Sequence, residues 1–181
     1  MTENSKETIV EAALNLFATR GYDSTPISLI AKTAQVSQGL MYNFFPSKEA
    51  LLGELMNRGF EDIKRSMKSY LDVAEPREAI RVHVETTIAI IKRHSRFWRL
   101  LHAIRLQGKV VETAQPLFQE IVTNVTHTFS SVFSVLGYPN PQLEAMLFLA
   151  QIDGLVILFL QDEQNVPIDQ LGQQLIQRYI S

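Results

Sequence analysis

Residues 25–48 read TPISLIAKTAQVSQGLMYNFFPSK, and two short helical segments meet inside this stretch across Gln35, Val36 and Ser37. In the first, Ile27, Ile30, Ala31 and Ala34 recur at i, i+3, i+4 and i+7, the spacing of one helix face. Thr25 suits an N-cap, and Pro26 suits the first helical position, where its missing N–H costs nothing. In the second, Ser37 caps, and Met41, Phe44 and Phe45 form the inward face. Turning about 100° per residue from those three leaves Gly39 and Asn43 on the opposite side, flanked by Leu40 and Tyr42. A small residue, a base-reading amide and a phenol pointing outward suit insertion into a major groove. The pattern predicts a helix-turn-helix.

The wording around it is more specific than the motif. IAKTAQVSQGLMYNFFPSKEALL resembles the tetracycline-repressor (TetR) family of transcriptional regulators through Ile30-Ala31, Val36-Ser37, Gly39, Tyr42 and Phe45 through Leu51. A preceding helix carrying Ala12, Ala13, Leu16, Phe17, Gly21 and Tyr22 fits the same family. The detailed match covers about the first quarter of the chain, and beyond it only helix number and length correspond. Two positions depart from the family pattern. Gln35 stands where the family has a Gly with positive φ: a Gln held in that left-handed conformation costs about 1 kcal/mol, or else the turn itself differs slightly. Leu40 stands where a Thr or other small residue is common, so a thymine methyl replaces a hydroxyl partner.

The resemblance implies a ligand-responsive repressor of transcription, bound as a homodimer to a pseudo-palindromic double-stranded DNA operator. On it, Tyr42 and Lys48 are expected to bind phosphate, while Gln38, Asn43 and Leu40 approach bases. Thr25, Ser37 and Gly39 complete the expected DNA-binding set. Two rival readings are a regulator governed by a protein partner, and a helical enzyme reusing the body's cavity. The chain shows no nucleophile–base motif, phosphate loop or dinucleotide glycine pattern, so no enzyme and no cofactor are expected. No His or Cys lies at i+3 or i+4 of another, which argues against a metal site.

Bulk charge adds nothing to the DNA reading. The chain of 181 residues has net charge −2, and residues 1–50 carry four Lys or Arg against five Asp or Glu. The basic footprint of many nucleic-acid binders is missing. With no Cys and no apolar leader after the N-terminus, the expectation is a cytoplasmic protein without disulfides. Gly and Pro are sparse and lie between periodic segments, as in an all-α chain of about nine helices. The expected organisation is residues 1–47 for DNA binding and 48–181 for ligand binding and dimerisation.

The first helix is expected to start at Asn4, with Glu7 reaching back, and to bury Ile9, Ala12, Ala13, Leu16 and Phe17. Ser47 caps a long helix to about Leu71, roughly 36 Å in length, whose N-terminus beside Lys48 is a ready phosphate site. Further helices are expected from Pro76 to about Arg93, Ser95 to Gln107 and Pro116 to Leu136. Between residues 76 and 108, seven Lys or Arg face two Glu. A solvated basic face accounts for this run. The sharper alternative has Trp98, His102 and Arg105, at i, i+4 and i+7, lining a cavity for an amphipathic or anionic molecule. Phe60, His83, Thr87, Phe118 and Val122 join them as candidate ligand contacts.

From Pro141, LEAMLFLAQIDGLVILFL is apolar nearly all round, as in a helix buried on both sides or crossing a membrane. Gln151 and Asp153 in its middle argue against a span. After Pro167 the last helix carries a clean stripe of Ile168, Leu171, Leu175, Ile176, Tyr179 and Ile180. The expected homodimer seam is a four-helix arrangement through Leu147, Ile157, Leu158, Leu171, Leu175 and Tyr179.

Overall fold

Apolar periodicity of 3.6 residues along almost the whole chain produces helices throughout. The computed structural model describes the backbone of residues 2–71, 73–105 and 111–180, with side chains except those of 2–3, 62, 65–71, 105, 111–115, 117 and 118. Nine α-helices and no strands occur among the described residues: α1 (Thr2–Arg20), α2 (Ile27–Thr33), α3 (Gln38–Phe44), α4 (Lys48–Leu71), α5 (Pro76–Arg93), α6 (Ser95–Arg105), α7 (Val111–Val135), α8 (Pro141–Gln161) and α9 (Ile168–Ile180). They form two compact units, Met1–Glu61 with Arg96–Gln115, and Asp62–Ser95 with Pro116–Ser181. The expected boundary after residue 47 falls inside the first of these.

In the first unit, α1 packs on α2 and α3 through the expected stripe from Ile9 to Phe17, all of it buried. The helix begins before Asn4, whose carbonyl accepts from the Thr8 hydroxyl. Asn4 is therefore a helix residue and not the cap. Gly21 ends α1 with φ +84°, a conformation that costs a glycine nothing.

The ending of α2 explains the departure at residue 35. Val36 donates to the Ala31 carbonyl and Gln35 to the Lys32 carbonyl, the paired bonds of a Schellman motif. That motif puts its C′ residue in the left-handed region, and Gln35 has φ +57°. The chain thus keeps the family geometry without the glycine. At the other end, Pro26 and not Thr25 occupies the N-cap, and no side chain caps the helix. The Thr25 hydroxyl donates instead to the Gly21 carbonyl at 2.8 Å.

Ser47 caps α4 as expected, accepting from the Ala50 amide at 3.1 Å. Ionic contacts fasten α4 to α1: Arg58 bridges Glu7 at 2.7 Å and Glu54 at 2.8 Å, and Lys6 reaches Glu54 at 3.0 Å. Such exposed pairs are individually weak, about 0–1 kcal/mol each. Where α6 crosses α4, Gly59 is required, because a Cβ there would lie 2.0 Å from the Phe97 ring.

In the second unit, α5 packs on α9, and both meet α8. Contact between α5 and α9 is close at Gly172, where a Cβ would come within 2.2 Å of Ile88 Cδ1. An aromatic cluster fills the interior. The His83 ring lies 4.7 Å from Phe129 and 5.9 Å from Phe148. Phe133 joins Phe148 at 5.8 Å and Tyr179 at 5.3 Å. Helix α7 starts at Val111, earlier than expected, with Pro116 inside it. Proline at this depth leaves one gap in the i→i−4 ladder without ending the helix. Helix α8 is long and apolar enough to cross a membrane by length and composition, yet Ala145, Phe148, Ile152, Val156, Phe159 and Leu160 are buried against its neighbours.

Two predictions follow from these elements. Gln35→Gly relieves the left-handed strain and should raise stability by about 0.5–1 kcal/mol, less whatever entropy the glycine adds to the unfolded chain. Urea unfolding measures it, and a loss of stability would contradict the strain argument. Burial pushes the His83 imidazole down to about 3, below its unfolded value of about 6.5. Stability from the neutral ring is therefore complete above about pH 6.5. It falls as pH drops toward about 3, with a slope approaching about 1.4 kcal/mol per pH unit. Between pH 6.5 and 5, above the carboxylate range, His83→Phe should flatten the urea-midpoint profile.

Candidate functional site

Helix α3 presents the face expected of a recognition helix. Ser37 Oγ accepts from the Leu40 amide at 3.1 Å, fixing the first turn. Met41 and Phe45 are buried and Phe44 half-buried, which anchors the inward side. Ser37, Gln38, Gly39, Tyr42 and Asn43 are exposed, Tyr42 to 48%, with Leu40 half-exposed. A Cβ on Gly39 would meet only Ser37 Oγ, at 4.0 Å. The protein itself therefore has no steric need for a glycine there, although glycine inside a helix costs about 1 kcal/mol.

One expected DNA contact is corrected, and a second, Lys48, has contacts of its own within the protein. Thr25 is 0% exposed, and its hydroxyl is committed to the turn between α1 and α2; its side chain has no surface to offer DNA. Lys48 is half-buried, with its ammonium donating to the Tyr22 carbonyl and, at 3.5 Å, to the Asp23 carbonyl. It also stands 4.1 Å from the Tyr22 ring centroid. Burial holds its pKa below the ordinary lysine value. The first use of Lys48 is thus to fasten the start of α4 to the turn after α1. Beside it, the Tyr22 hydroxyl donates to Glu49 at 3.3 Å. Burial is the main reason this phenol is pushed up beyond its ordinary range.

The expected ligand contacts divide between the two units. In the first, rings run in sequence from Phe60 to Phe97 at 6.2 Å, Phe97 to Trp98 at 6.3 Å and Trp98 to His102 at 6.2 Å. The Trp98 indole Nε1 is buried with no hydrogen-bond acceptor among the described residues. In the second, His83 belongs to the aromatic core, and Thr87 is half-buried on the same helix. Val122 is exposed at a groove of about 950 Å3 between α7 and α8, which also carries Thr126, His127, Ser130 and Met146. The side chains of Arg105 and Phe118 lie outside the described residues. Much of the basic run is ion-paired: Arg81 with Glu78 and Glu85, Lys92 with Asp169 at 2.7 Å, and Arg96 with Glu11 at 3.1 Å. The solvated-face reading accounts for these.

The expected seam also changes. Leu147, at 57% exposure, Leu158, at 50%, and Ile157 do face outward from α8. Leu175 and Tyr179 are only 5% and 7% exposed, and Leu171 is half-buried. The stripe of α9 already has its partner within the chain. Its Tyr179 hydroxyl donates to Glu144 at 3.0 Å and accepts from Gln151 at 2.8 Å. Leu143, Met146 and Ala150 are exposed on α8 as well. A helix apolar nearly all round gives no periodic signal to say which side is outward.

Comparison with known proteins agrees with this geometry. Residues 9–55 match the family described as bacterial regulatory proteins, tetR family. The HTH-type transcriptional regulator YuxN of Bacillus subtilis is 35% identical over 96 residues, 52% of this chain and 33% of that protein. The match therefore spans about a third of that relative's length. YhgD, an HTH-type transcriptional regulator of the same organism, is 26% identical over 93% of this chain and 90% of its own length. Among solved structures, the transcriptional regulator FadR of Bacillus subtilis in complex with stearoyl-CoA superposes with a TM-score of 0.79, covering 97% of each chain at 17% identity. Identity that low speaks for the fold alone. With a helix-turn-helix whose recognition face is exposed, this all-α chain carries over residues 9–55 the DNA-binding segment of the TetR family of transcriptional regulators.

Proposed function

We propose that the chain is a cytoplasmic, homodimeric repressor whose grip on a pseudo-palindromic operator is loosened by an acyl-bearing effector. On this reading residues 1–47 bind DNA, and residues 48–181 bind effector and partner. The observation that carries it is the exposed row of α3, Gln38, Gly39, Tyr42 and Asn43, on a helix anchored from behind by Met41 and Phe45. Gly39 fits the close approach of a sugar–phosphate backbone, since its own protein leaves that space open. Tyr42 supplies a phosphate contact, and Asn43 a bidentate reading of adenine. Lys48 acts first by holding the head to α4, with its remaining N–H available to phosphate.

The outward face of α8 supports a second copy as partner. It runs from Leu143, Met146 and Leu147 through Ala150 and Gly154 to Ile157 and Leu158. That is a large–small–large order, and a Cβ on Gly154 would meet nothing within 4 Å. A two-fold axis near the middle places Ala150 of one copy by Gly154 of its partner, so the helices approach closely there. Symmetry of this kind makes one patch complementary to itself. The dimer would set two recognition helices about 34 Å apart, one turn of DNA. The acyl class of effector comes from the stearoyl-CoA complex of the FadR relative. Opposed half-sites and a ligand that favours another spacing then give release by linkage.

Two outcomes are expected. Asn43→Ala, tested by random-oligonucleotide selection, should relax preference at one base pair per half-site and cost about 1–3 kcal/mol there. An unchanged selected sequence would remove Asn43 from the reading. Sedimentation at micromolar concentration should find the wild type dimeric. Leu147→Asp should shift it to a folded monomer, because the charge is exposed in one copy and buried unpaired in two. A monomeric wild type, or a Leu147→Asp dimer as stable as the parent, would sink the seam.

A further inference from the structure

The two flanks of α8 differ. Toward α9 the flank is closed from within the chain, where the Tyr179 hydroxyl donates to Glu144 at 3.0 Å and accepts from Gln151 at 2.8 Å. Beyond that network the outer side of α9 is polar, with Gln170, Gln173, Gln174 and Arg178 exposed. Toward α7 the flank of α8 is open. A groove of about 950 Å3 runs there, between Gln142, Met146 and Leu149 of α8, at i, i+4 and i+7, and the side of α7 from Val122 to Val135. Its apolar walls are held in water at a cost: Val122 is 48% exposed, Val135 75% and Met146 58%. The rest of the α7 wall is mostly small hydroxyl side chains. One of them, Ser131, donates to the His127 carbonyl at 3.2 Å and so spends its hydroxyl on its own helix. The groove lies wholly within the second compact unit.

We propose that this groove receives the C-terminal half of the α8 of a second copy, so that α7, and not α9, completes the dimer seam. This rests on the reading of the outward face of α8 as self-associating, and adds to it the surface that closes the seam. Two helices that cross at a two-fold axis between Ala150 and Gly154 meet only along the turns beside the axis. One such strip falls short of the about 1,200–2,000 Å2 that stable interfaces bury. Each copy needs a further surface, and the symmetry says which part of the partner reaches it. The axis sets the N-terminal half of one α8, where the groove lies, against the C-terminal half of the other. That half carries Ile157 and Leu158, 38% and 50% exposed. Leaning toward α7, these side chains enter open space between apolar walls and cover Met146, Val122 and Val135. Leaning toward α9, they would lie on glutamines, for α9 exposes no large apolar side chain among the described residues. The hydroxyls of Thr126, Ser130 and Ser134 suit the rim of such a contact, where polar groups bond directly or through water.

Sedimentation of the full chain over a dilution series reads the dimer dissociation constant. Ser134→Arg places a charge on the exposed wall of the groove, which a monomer tolerates and a filled groove does not. It should raise that constant by at least about tenfold. Gln174→Arg, on the exposed side of α9, should leave it within about twofold. Both variants should keep the circular dichroism of the wild type. Proximity supplies a second measurement, because the chain has no cysteine of its own. A bismaleimide should join Ser134→Cys chains to Ile157→Cys chains more completely than it joins Gln174→Cys chains to the same partner. A dimer that Ser134→Arg leaves as tight as wild type, or equal joining in the two mixtures, would overturn the docking at α7 and leave the α8 seam standing. Splitting by Gln174→Arg alone would return the seam to α9. A dimer in which the Ser134→Cys thiol reacts with maleimide as fast as the Gln174→Cys thiol would leave the groove to another occupant and overturn the proposal equally. A wild type monomeric at micromolar concentration would remove the dimer itself, and this inference with it.

Discussion

The turn between α1 and α2 is the constraint on which the DNA-binding half depends. In a few residues it ends α1 at Gly21, buries Thr25 on the Gly21 carbonyl and offers the Tyr22 and Asp23 carbonyls to Lys48. Each interaction satisfies a polar group that the fold would otherwise bury or strand. Tyr22 joins them by lying against Phe17, with ring centroids 5.0 Å apart, and by donating to Glu49. The start of α4 is thereby tied to the end of α1, and the recognition helix is held between them. A residue type chosen for charge, Lys48, serves this architecture before it serves any ligand.

A different economy governs the second unit. Among the described residues its large aromatic side chains gather in one cluster, with Phe129, Phe133 and Phe148 fully buried. His83 sits among them as a neutral ring, because burial strongly disfavours its charged form. The close passage of α9 over α5 at Gly172 brings Leu175, Ile176 and Tyr179 into this interior. Once α9 is spent inside, the large apolar side chains left exposed in this unit, among the described residues, are those of α8 with Val122 and Val135 of α7. Exposed apolar residues in such a row are a recognised mark of association.

Helix α6 belongs with the head in contacts, although it follows α5 in sequence. Its inner residues Phe97, Leu100, Leu101 and Ile104 are all buried, and the Phe97–Gly59 contact sets how near it lies to α4. Within this packing the Trp98 indole Nε1 is buried with no acceptor among the described residues.

The sequence by itself determined the helices, the turn and the family. The spacing from Ile27 to Ala34, the cap at Ser37 and the inward set Met41, Phe44 and Phe45 are local properties, legible without a partner. It also marked Gln35 as the place where either the residue is strained or the turn departs, and the Schellman ending with φ +57° decides for the left-handed residue. Tertiary structure alone decided where apolar stripes and polar atoms are spent. Thr25 reads as a cap until the Gly21 carbonyl is brought within 2.8 Å of its hydroxyl. Lys48 reads as a free cation until the Tyr22 and Asp23 carbonyls close on it. Leu175 and Tyr179 read as a subunit seam until α5 and α8 cover them. An amphipathic pattern states that one face must leave water, and it is silent on which surface will cover it. That choice depends on contacts between residues far apart in the chain.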